Sequence, residues 1–391
     1  VGYGFSRRDV AYLGSAAGRG ALAEVDRLAL TPQTYVRDLE RVRRDHAHPA
    51  ALVETVQLRR RAVTKLSEAR HWLLTDDALQ QATPSLVARH RAARLAGRAV
   101  HDVTCSVGAE LAALAPVCPA VLGSDVDDVR LAMAAHNLAE HANVLPIEAD
   151  ALVPVSAGTV VIADPARRAD GRRTRDPAKL RPPLPDLLAA YPGRDLAVKC
   201  APGLDFDRLG WSGEIEVVSL DGVVREACLW TCGLAEHGVT RRATILSSTR
   251  RPVTLTDADP QDIPRRAPGA WILDPDGAVV RAGLVRHYAA RHGLWQLDPR
   301  IAYLTGDELP AGTRGFRIVE RFDYREKSVR AELRRRDCGP LEILVRGVDV
   351  DPDRLRRSVK PVGSQPFTLV LTRIGSTPTA FLCTAVDSRV L

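Results

Sequence analysis

Four aspartates punctuate the middle of this chain. Asp102, Asp125, Asp150 and Asp164 close the short apolar runs "AVHD", "AVLGSD", "LPIEAD" and "VVIAD". Asp is common in loops, and Asp164-Pro165 is good turn chemistry, so each alone reads equally well as the end of a strand. Together they carry more. After the first comes "VTCSVGAEL", with small residues at a strand-to-helix turn. Such a turn lets backbone approach a ligand and leaves helix N–H groups free. A carboxylate ending the second strand can accept both hydroxyls of a ribose, and Asp150 is placed to meet an adenine amine. The pattern is that of a nucleoside-type site. It is not a dinucleotide fingerprint, which needs three glycines where this turn has Gly108. Nor is it a phosphate-binding loop, since no GKS or GKT follows.

The elements that must hold these residues can be read around them. From about residue 98, short apolar runs alternate with helical stretches such as "DDVRLAMAAHNLAEHA". Such alternation predicts crossovers and a mostly parallel sheet. "EIEVVSLDGVVREACLWTC" predicts a hairpin with Asp-Gly at its turn. Residues 1–95 read as helical: "TPQTYVRDLERVRRD" offers Thr31 as N-cap and Pro32 at N1, and "TPSLVARHRAARLAG" repeats the start at Thr83-Pro84 and stops at Gly97. Near residue 250, "SSTRRPVTLTDADPQDIPRRAPG" reads as a linker. Beyond it, helical and strand patterns predict an α+β domain over 251–391.

Bulk properties bound the partners. At 391 residues the chain exceeds one ordinary core. Its apolar runs are too short to span a bilayer, and the start lacks a signal-peptide core, so no membrane and a cytoplasmic location are expected. Seven dispersed cysteines without a CxxC fit reduced thiols and no metal. The net charge of +7 permits a polyanionic partner. The oligomeric state is not legible.

The succession "DVTCSVGAEL", "VLGSDVDDVRLAMAAHNL", "EADAL", "VVIADPARR" and "LAVKCAPGLD" resembles the class I S-adenosylmethionine-dependent methyltransferases over about residues 80–235. Within them it is similar to the nucleic-acid amino-methyltransferase branch, including trimethylguanosine synthase-like enzymes. The whole chain also resembles bacterial methyltransferase-like proteins with a helical N-terminal part and a C-terminal THUMP-like domain. The resemblance implies an α/β, Rossmann-like seven-stranded sheet over 96–250, with a helical region before it and an α+β domain after. It further implies S-adenosylmethionine as the cofactor and, as the acceptor, a nucleobase amine in RNA, such as transfer or ribosomal RNA. Asp102, Thr104 and Gly108 would hold the amino-acid end of the cofactor, with Thr83 at its carboxylate. Asp125 would bind the ribose, and Asp150 with Ala151 the adenine. Asp164 and Pro165 match the start of the (Asp/Asn)-Pro-Pro-aromatic motif.

Amine methylation is chiefly an orientation problem: the nitrogen lone pair must face the sulfonium methyl. A carboxylate and a backbone carbonyl accepting both amine hydrogens would aim it, and the aspartate can take up the released proton. Here the motif departs from its pattern, because Ala166 replaces the second Pro and Arg167 the aromatic. A guanidinium can stack on a base. Otherwise the base is stacked elsewhere, with Trp211 and Trp230 as candidates. The following stretch carries Arg168, Arg172, Arg173 and Arg175 and suits either a phosphate backbone or a solvated loop. A catalytically weak RNA-binding protein and a protein or small-molecule methyltransferase are the competing readings. Cys105 reads as a packing residue and His101 as structural.

Overall fold

The computed structural model describes residues 2–166, the backbone of 168–169 and 172–173, and residues 176–387. The chain divides into two compact units, 1–240 with 246–252, and 241–245 with 253–391.

The first unit opens with helices α1 (Arg7–Gly14), α2 (Ala16–Val25), α3 (Tyr35–Asp45), α4 (Pro49–Ala62), α5 (Asp76–Gln81) and α6 (Ser85–Arg94). Ser6 and Asp9 form a reciprocal capping box that starts α1, and Pro49 sits at the first position of α4. The expected start at Thr31 is displaced. Thr31 through Thr34 form a turn, closed by the Thr31 amide on Thr34 Oγ1, and α3 begins at Tyr35 with Thr34 as cap residue. Leu13, Leu22, Leu52, Val56 and Leu73 share one apolar core in this region.

The sheet follows: β1 (Val100–Asp102), β2 (Val121–Asp125), β3 (Val144–Glu148), β4 (Val160–Ala163), β5 (Leu196–Cys200), β6 (Glu214–Leu220) and β7 (Val223–Trp230). Their order in space is β3-β2-β1-β4-β5-β7-β6. The first five are parallel, while β7 runs antiparallel to both its neighbours. Helices α7 (Ala109–Leu114), α8 (Asp128–Asn137) and α9 (Leu184–Ala190) fall between strands. Strands β4 and β5 are buried at every position, so neither reads as alternation: β4 is an unbroken apolar run and β5 an apolar run broken only by Lys199. The predicted hairpin forms between β6 and β7, with Asp221 at φ +50° and Gly222 at φ +79°, the left-handed pair that a two-residue turn requires.

Helix α6 meets this sheet through charge. His90 Nε2 lies 2.7 Å from Glu216, Arg94 lies 2.6 Å from Glu214 and 2.7 Å from Glu216, and Arg91 pairs with Glu226 of β7. The Arg94 guanidinium also stands 4.0 Å above the Trp230 ring. Glu214 and Glu216 are fully buried and Arg91 is 1% exposed. Carboxylates this deep are tolerable only when paired.

The second unit has its own sheet, running Trp295–Gln296, Leu304–Gly306, Trp271–Leu273, Arg314–Asp323, Thr377–Asp387, Gln365–Ile374, Cys338–Val345. Helices Glu326–Arg335 and Pro352–Val359 pack on its last strands through Val329, Leu333, Leu355 and Val359. The stretch read as a linker contains a strand, since Val253–Thr256 pairs antiparallel with Arg242–Ile245. No described helix is long and apolar enough to cross a membrane.

Replacing Arg91 with Met leaves Glu110 and Glu226 facing an apolar side chain. The expected cost is about 3–5 kcal/mol, read as a lower urea midpoint. Adding Glu226→Gln should recover part of it. Equal midpoints for wild type and R91M would show that the pairs are dispensable.

Candidate functional site

A cavity of about 480 Å³ opens across the carboxyl ends of the parallel strands. It brings together Thr83, Asp102, Thr104, Asp125, Asp150, Ala151 and Asp164. Asp102 and Asp125 are the last residues of β1 and β2. Asp150 and Asp164 stand two residues and one residue past β3 and β4. The sheet therefore collects on one edge four carboxylates that lie up to 62 residues apart in the chain.

The turn after β1 is built by short polar contacts. Asp102 Oδ1 accepts the Thr104 amide at 3.0 Å and the Thr104 hydroxyl at 3.3 Å. Thr104 Oγ1 in turn accepts the Asp164 amide at 2.7 Å, so one threonine latches the β1 loop to the β4 loop. The Ser106 amide donates to Asp125 Oδ2 at 3.0 Å, and the Asp127 amide to Asp125 Oδ1 at 3.0 Å. Each carboxylate oxygen keeps a second lone pair, so Asp125 still has capacity for hydroxyl donors. Asp150 Oδ1 accepts the Leu152 amide at 2.8 Å, and the Ala151 carbonyl accepts the Tyr191 hydroxyl at 3.0 Å. Gly108 sits at φ +88°, and a Cβ there would meet Leu138 Cδ1 at 2.7 Å. Its need is thus both conformational and steric.

Two charged residues of the cavity were missed in the sequence. Lys199 is the penultimate residue of β5. It is 5% exposed, donates to Thr83 Oγ1 at 2.5 Å and pairs with Asp164. Burial is the largest single influence and works against its charge, but the Asp164, Glu226 and Glu110 carboxylates together hold the ammonium above its ordinary range. The available signal was a lone Lys inside the apolar run "LAVKC". Thr83, read as a helix start, is not the cap of α6, whose N-cap residue is Pro84. Glu110, second residue of α7, also lines the cavity at 8% exposure. Its signal was weaker, since a Glu in a first helical turn is ordinary. Burial, and then the Glu110 charge, push the Asp102 carboxyl up to about 7.

Other expected residues lie elsewhere. Trp211 donates its Nε1 to the Trp230 carbonyl at 2.9 Å. Trp230 pairs with Ala197 near the start of β5, whereas Cys200 at its end pairs with Ala227. Both tryptophans therefore sit at the amino edge of the parallel strands, opposite the cavity, and Trp211 cannot stack a base there. Pro165 is buried beside the cavity, which Ala166 lines. Arg167, Arg175 and the side chains of Arg168, Arg172 and Arg173 lie outside the described residues. Arg168–Ala169 and Arg172–Arg173 form a short antiparallel ribbon, and Arg181 from the same basic stretch lines the cavity. Burial pushes the Cys105 thiol well up, as suits a packing residue.

Seven strands of the first unit in this order, with β7 antiparallel between β5 and β6 and a cavity lined by strand-end acids, define a Rossmann-like methyltransferase. The chain is 56% identical over 346 residues to an uncharacterized S-adenosylmethionine-dependent methyltransferase of Mycobacterium tuberculosis, found in strains CDC 1551 and H37Rv. The match covers 85% of this chain and 96% of the relative. The chain belongs to the S-adenosylmethionine-dependent methyltransferases, and S-adenosylmethionine is its cofactor. A candidate methyltransferase from Porphyromonas gingivalis W83 shares the fold, with a TM-score of 0.73 at 20% identity over 98% of this chain and 99% of that one. Residues 313–385 match a THUMP domain-like family, and residues 6–62 match a domain of unknown function, DUF8688.

His101 shows why Asp102 keeps its place. Its ring joins Ser124 of β2 at 2.9 Å and Ser156 of the loop after β3 at 2.9 Å. Burial, helped by Arg194, lowers its pKa from 6.5 to about 4. The folded state thus favours neutral imidazole, and its contribution is full above pH 6.5 and fades toward pH 4. Asp102 runs the other way: with its pKa raised from 3.8 to about 7, its burial costs nothing below pH 3.8, and the cost grows to its full value by about pH 7. In thermal melts from pH 4 to 8, the cost of His101→Gln should shrink as pH falls, and any gain from Asp102→Asn should grow from pH 4 to about pH 7 and level off above it. Parallel curves for wild type and H101Q would refute this account of the ring.

Proposed function

We propose that this methyltransferase transfers the methyl group to a nucleobase amine in RNA, with Asp164 as the residue that aims the nitrogen. The observation that carries this reading is the setting of Asp164. Thr104 fixes its amide, Lys199 fixes one carboxylate oxygen, and the side chain remains 31% exposed at the cavity. A carboxylate locked from behind and open in front suits an acceptor that arrives with two N–H donors. Its second oxygen can take one hydrogen and orient the lone pair toward the methyl group. The proton leaves after transfer, with Asp164 as the first acceptor.

In the same reading, Asp125 receives the ribose hydroxyls, Asp150 and Ala151 flank the adenine, and Asp102, Thr104 and the Gly108 turn hold the methionine end. Lys199 joins Thr83 as the partner of the methionine carboxylate, because a buried ammonium with a free lobe toward the cavity suits an anion. Residues 96–250 then carry the chemistry and 251–391 the RNA contact. Support for RNA comes from the THUMP-like match, the net charge of +7 and the cavity position of Arg181, which ends the basic stretch 167–181.

Asp164→Ala should keep cofactor affinity while transfer falls by roughly 10²–10⁴-fold, the usual worth of a positioned acid or base. Calorimetry with S-adenosylhomocysteine and radiolabelled methyl transfer to total RNA would measure the two separately. Full turnover by D164A would reduce "DPARR" to a strand end. RNA affinity should drop steeply with salt, and Arg172→Ala, Arg173→Ala and Arg175→Ala together should flatten that slope by up to about 3, close to one per lost phosphate contact. Salt-indifferent binding in a filter assay would point to a protein or small-molecule acceptor.

A further inference from the structure

We propose that a groove in the N-terminal helical region holds a stretch of the RNA outside the cavity, with Arg19, Arg59 and Arg70 on its phosphates and an apolar floor under its bases. This deepens the reading of RNA as the acceptor and rests on it.

The groove, of about 970 Å³, runs between α2, α4, the single turn Ala69–His71 and the end of α8. Buried Leu22, Val56 and Trp72 line it, and Val63 at the end of α4 stays 51% exposed there. The imidazoles of His71 and His141 lie on the same groove, and neither ring makes a hydrogen bond among the described residues. Bases stack on imidazole and guanidinium planes as readily as on apolar faces. Helix α8 links the groove to the cavity. Its cap, Asp127, donates its amide to Asp125 at the cavity, and its ten residues end at the groove, about 15 Å further on. A strand whose base enters the cavity can therefore reach the groove within a few nucleotides.

Charge points the same way. Of the acids on the groove, Asp26 is taken by Arg60 at 3.1 Å and Glu68 by Arg89 at 3.2 Å. Arg19, Arg59 and Arg70 have no carboxylate partner among the described residues, and only Glu140 is left on the groove to balance them. Arg59 is half-buried. It donates to the His71 carbonyl at 2.6 Å and the Trp72 carbonyl at 2.8 Å, which fixes its plane without cancelling its charge, and burial lowers its pKa to about 10. Arg19 is tied only to the Gly14 carbonyl, and Arg70 is exposed and unbonded. The His136 ring reports the resulting field. Burial lowers its pKa against a hydrogen bond to the His71 carbonyl, and Arg59 and Arg19 both lower it further, so the two guanidiniums act at one end of the groove. A half-buried cation without a counter-charge is costly, and an anion removes the cost. A phosphodiester brings that charge with two acceptor oxygens matched to the guanidinium fork. The base attached to it meets the apolar floor alongside.

Filter binding of bulk transfer RNA to the full chain, saturated with S-adenosylhomocysteine, tests this across a salt series. Arg19→Ala and Arg70→Ala together should weaken binding by roughly ten- to a hundredfold and flatten the salt slope by up to about 2, close to one per lost phosphate contact. Val63→Glu, which sets a carboxylate on the groove, should weaken binding as well. Arg37→Ala and Arg41→Ala together remove the same charge from ion-paired, exposed positions on α3 and should change little. Affinity for S-adenosylhomocysteine, equal to that of the wild type, reports that each variant is folded. Groove variants that bind RNA as the wild type does, while the wild type keeps its salt dependence, overturn the proposal and leave the RNA reading standing. An acidic protein segment then becomes the occupant to seek. An equal loss in the α3 control overturns it too, because general charge would account for the effect. Wild-type binding that ignores salt removes the RNA reading itself, and the groove proposal with it.

Discussion

The fold turns on a single buried guanidinium. Arg91 leaves α6, reaches Glu226 on the antiparallel strand β7, and lies beside Glu110 at the start of α7. Those three elements come from the helical region, the far end of the sheet and the turn after its first strand. Apolar packing alone would let α6 slide or rotate over the sheet, because hydrophobic contact has little direction. A guanidinium between two carboxylates does not tolerate such a slip. Arg94 and His90 extend the same restraint to Glu214 and Glu216. With α6 so held, Thr83 just ahead of it arrives opposite Lys199, and the wall of the cavity is closed.

Polar contacts of the same kind run along the sheet edge. Asp102, Thr104 and Asp164 form a chain of hydrogen bonds across the ends of β1 and β4, and Lys199 continues it to Thr83. The edge of a parallel sheet is where backbone groups run out of partners. Here side chains from neighbouring loops satisfy them, and the same groups hold the carboxylates in register. Stability and site geometry therefore share their parts. The site's acids are mutually repulsive, and two buried cations, Arg91 and Lys199, make their closeness tolerable.

Much of this was legible in the sequence because the relevant signals are local. The strand–helix alternation, the Asp-Gly hairpin and the Gly108 turn each depend on a few adjacent residues, and each appears where the pattern put it. The acids at the strand ends were legible for the same reason. What stayed hidden depends on distance in the chain. Lys199 gains its meaning only from Thr83 and Asp164, and Glu110 only from Arg91, none of which a local pattern connects. Trp211 failed for a related reason: an aromatic near a strand is visible, but which edge of the sheet it reaches is set by pairing with Trp230. The start of α3 moved because Thr31 and Thr34 compete as caps, and the turn between them satisfied its own hydroxyls.

The stretch after Asp164 has one more property. The amide of Ala166 donates to the carbonyl of Arg181 at 2.8 Å, and the amide of Arg181 returns a bond to the carbonyl of Ala166 at 3.1 Å. These two residues, fifteen positions apart, pair their backbones in both directions. The paired backbone fixes both ends of the segment at the cavity, which Ala166 and Arg181 line. A change of length between the two anchors leaves that backbone pair, and with it the two residues that border the cavity, where they are.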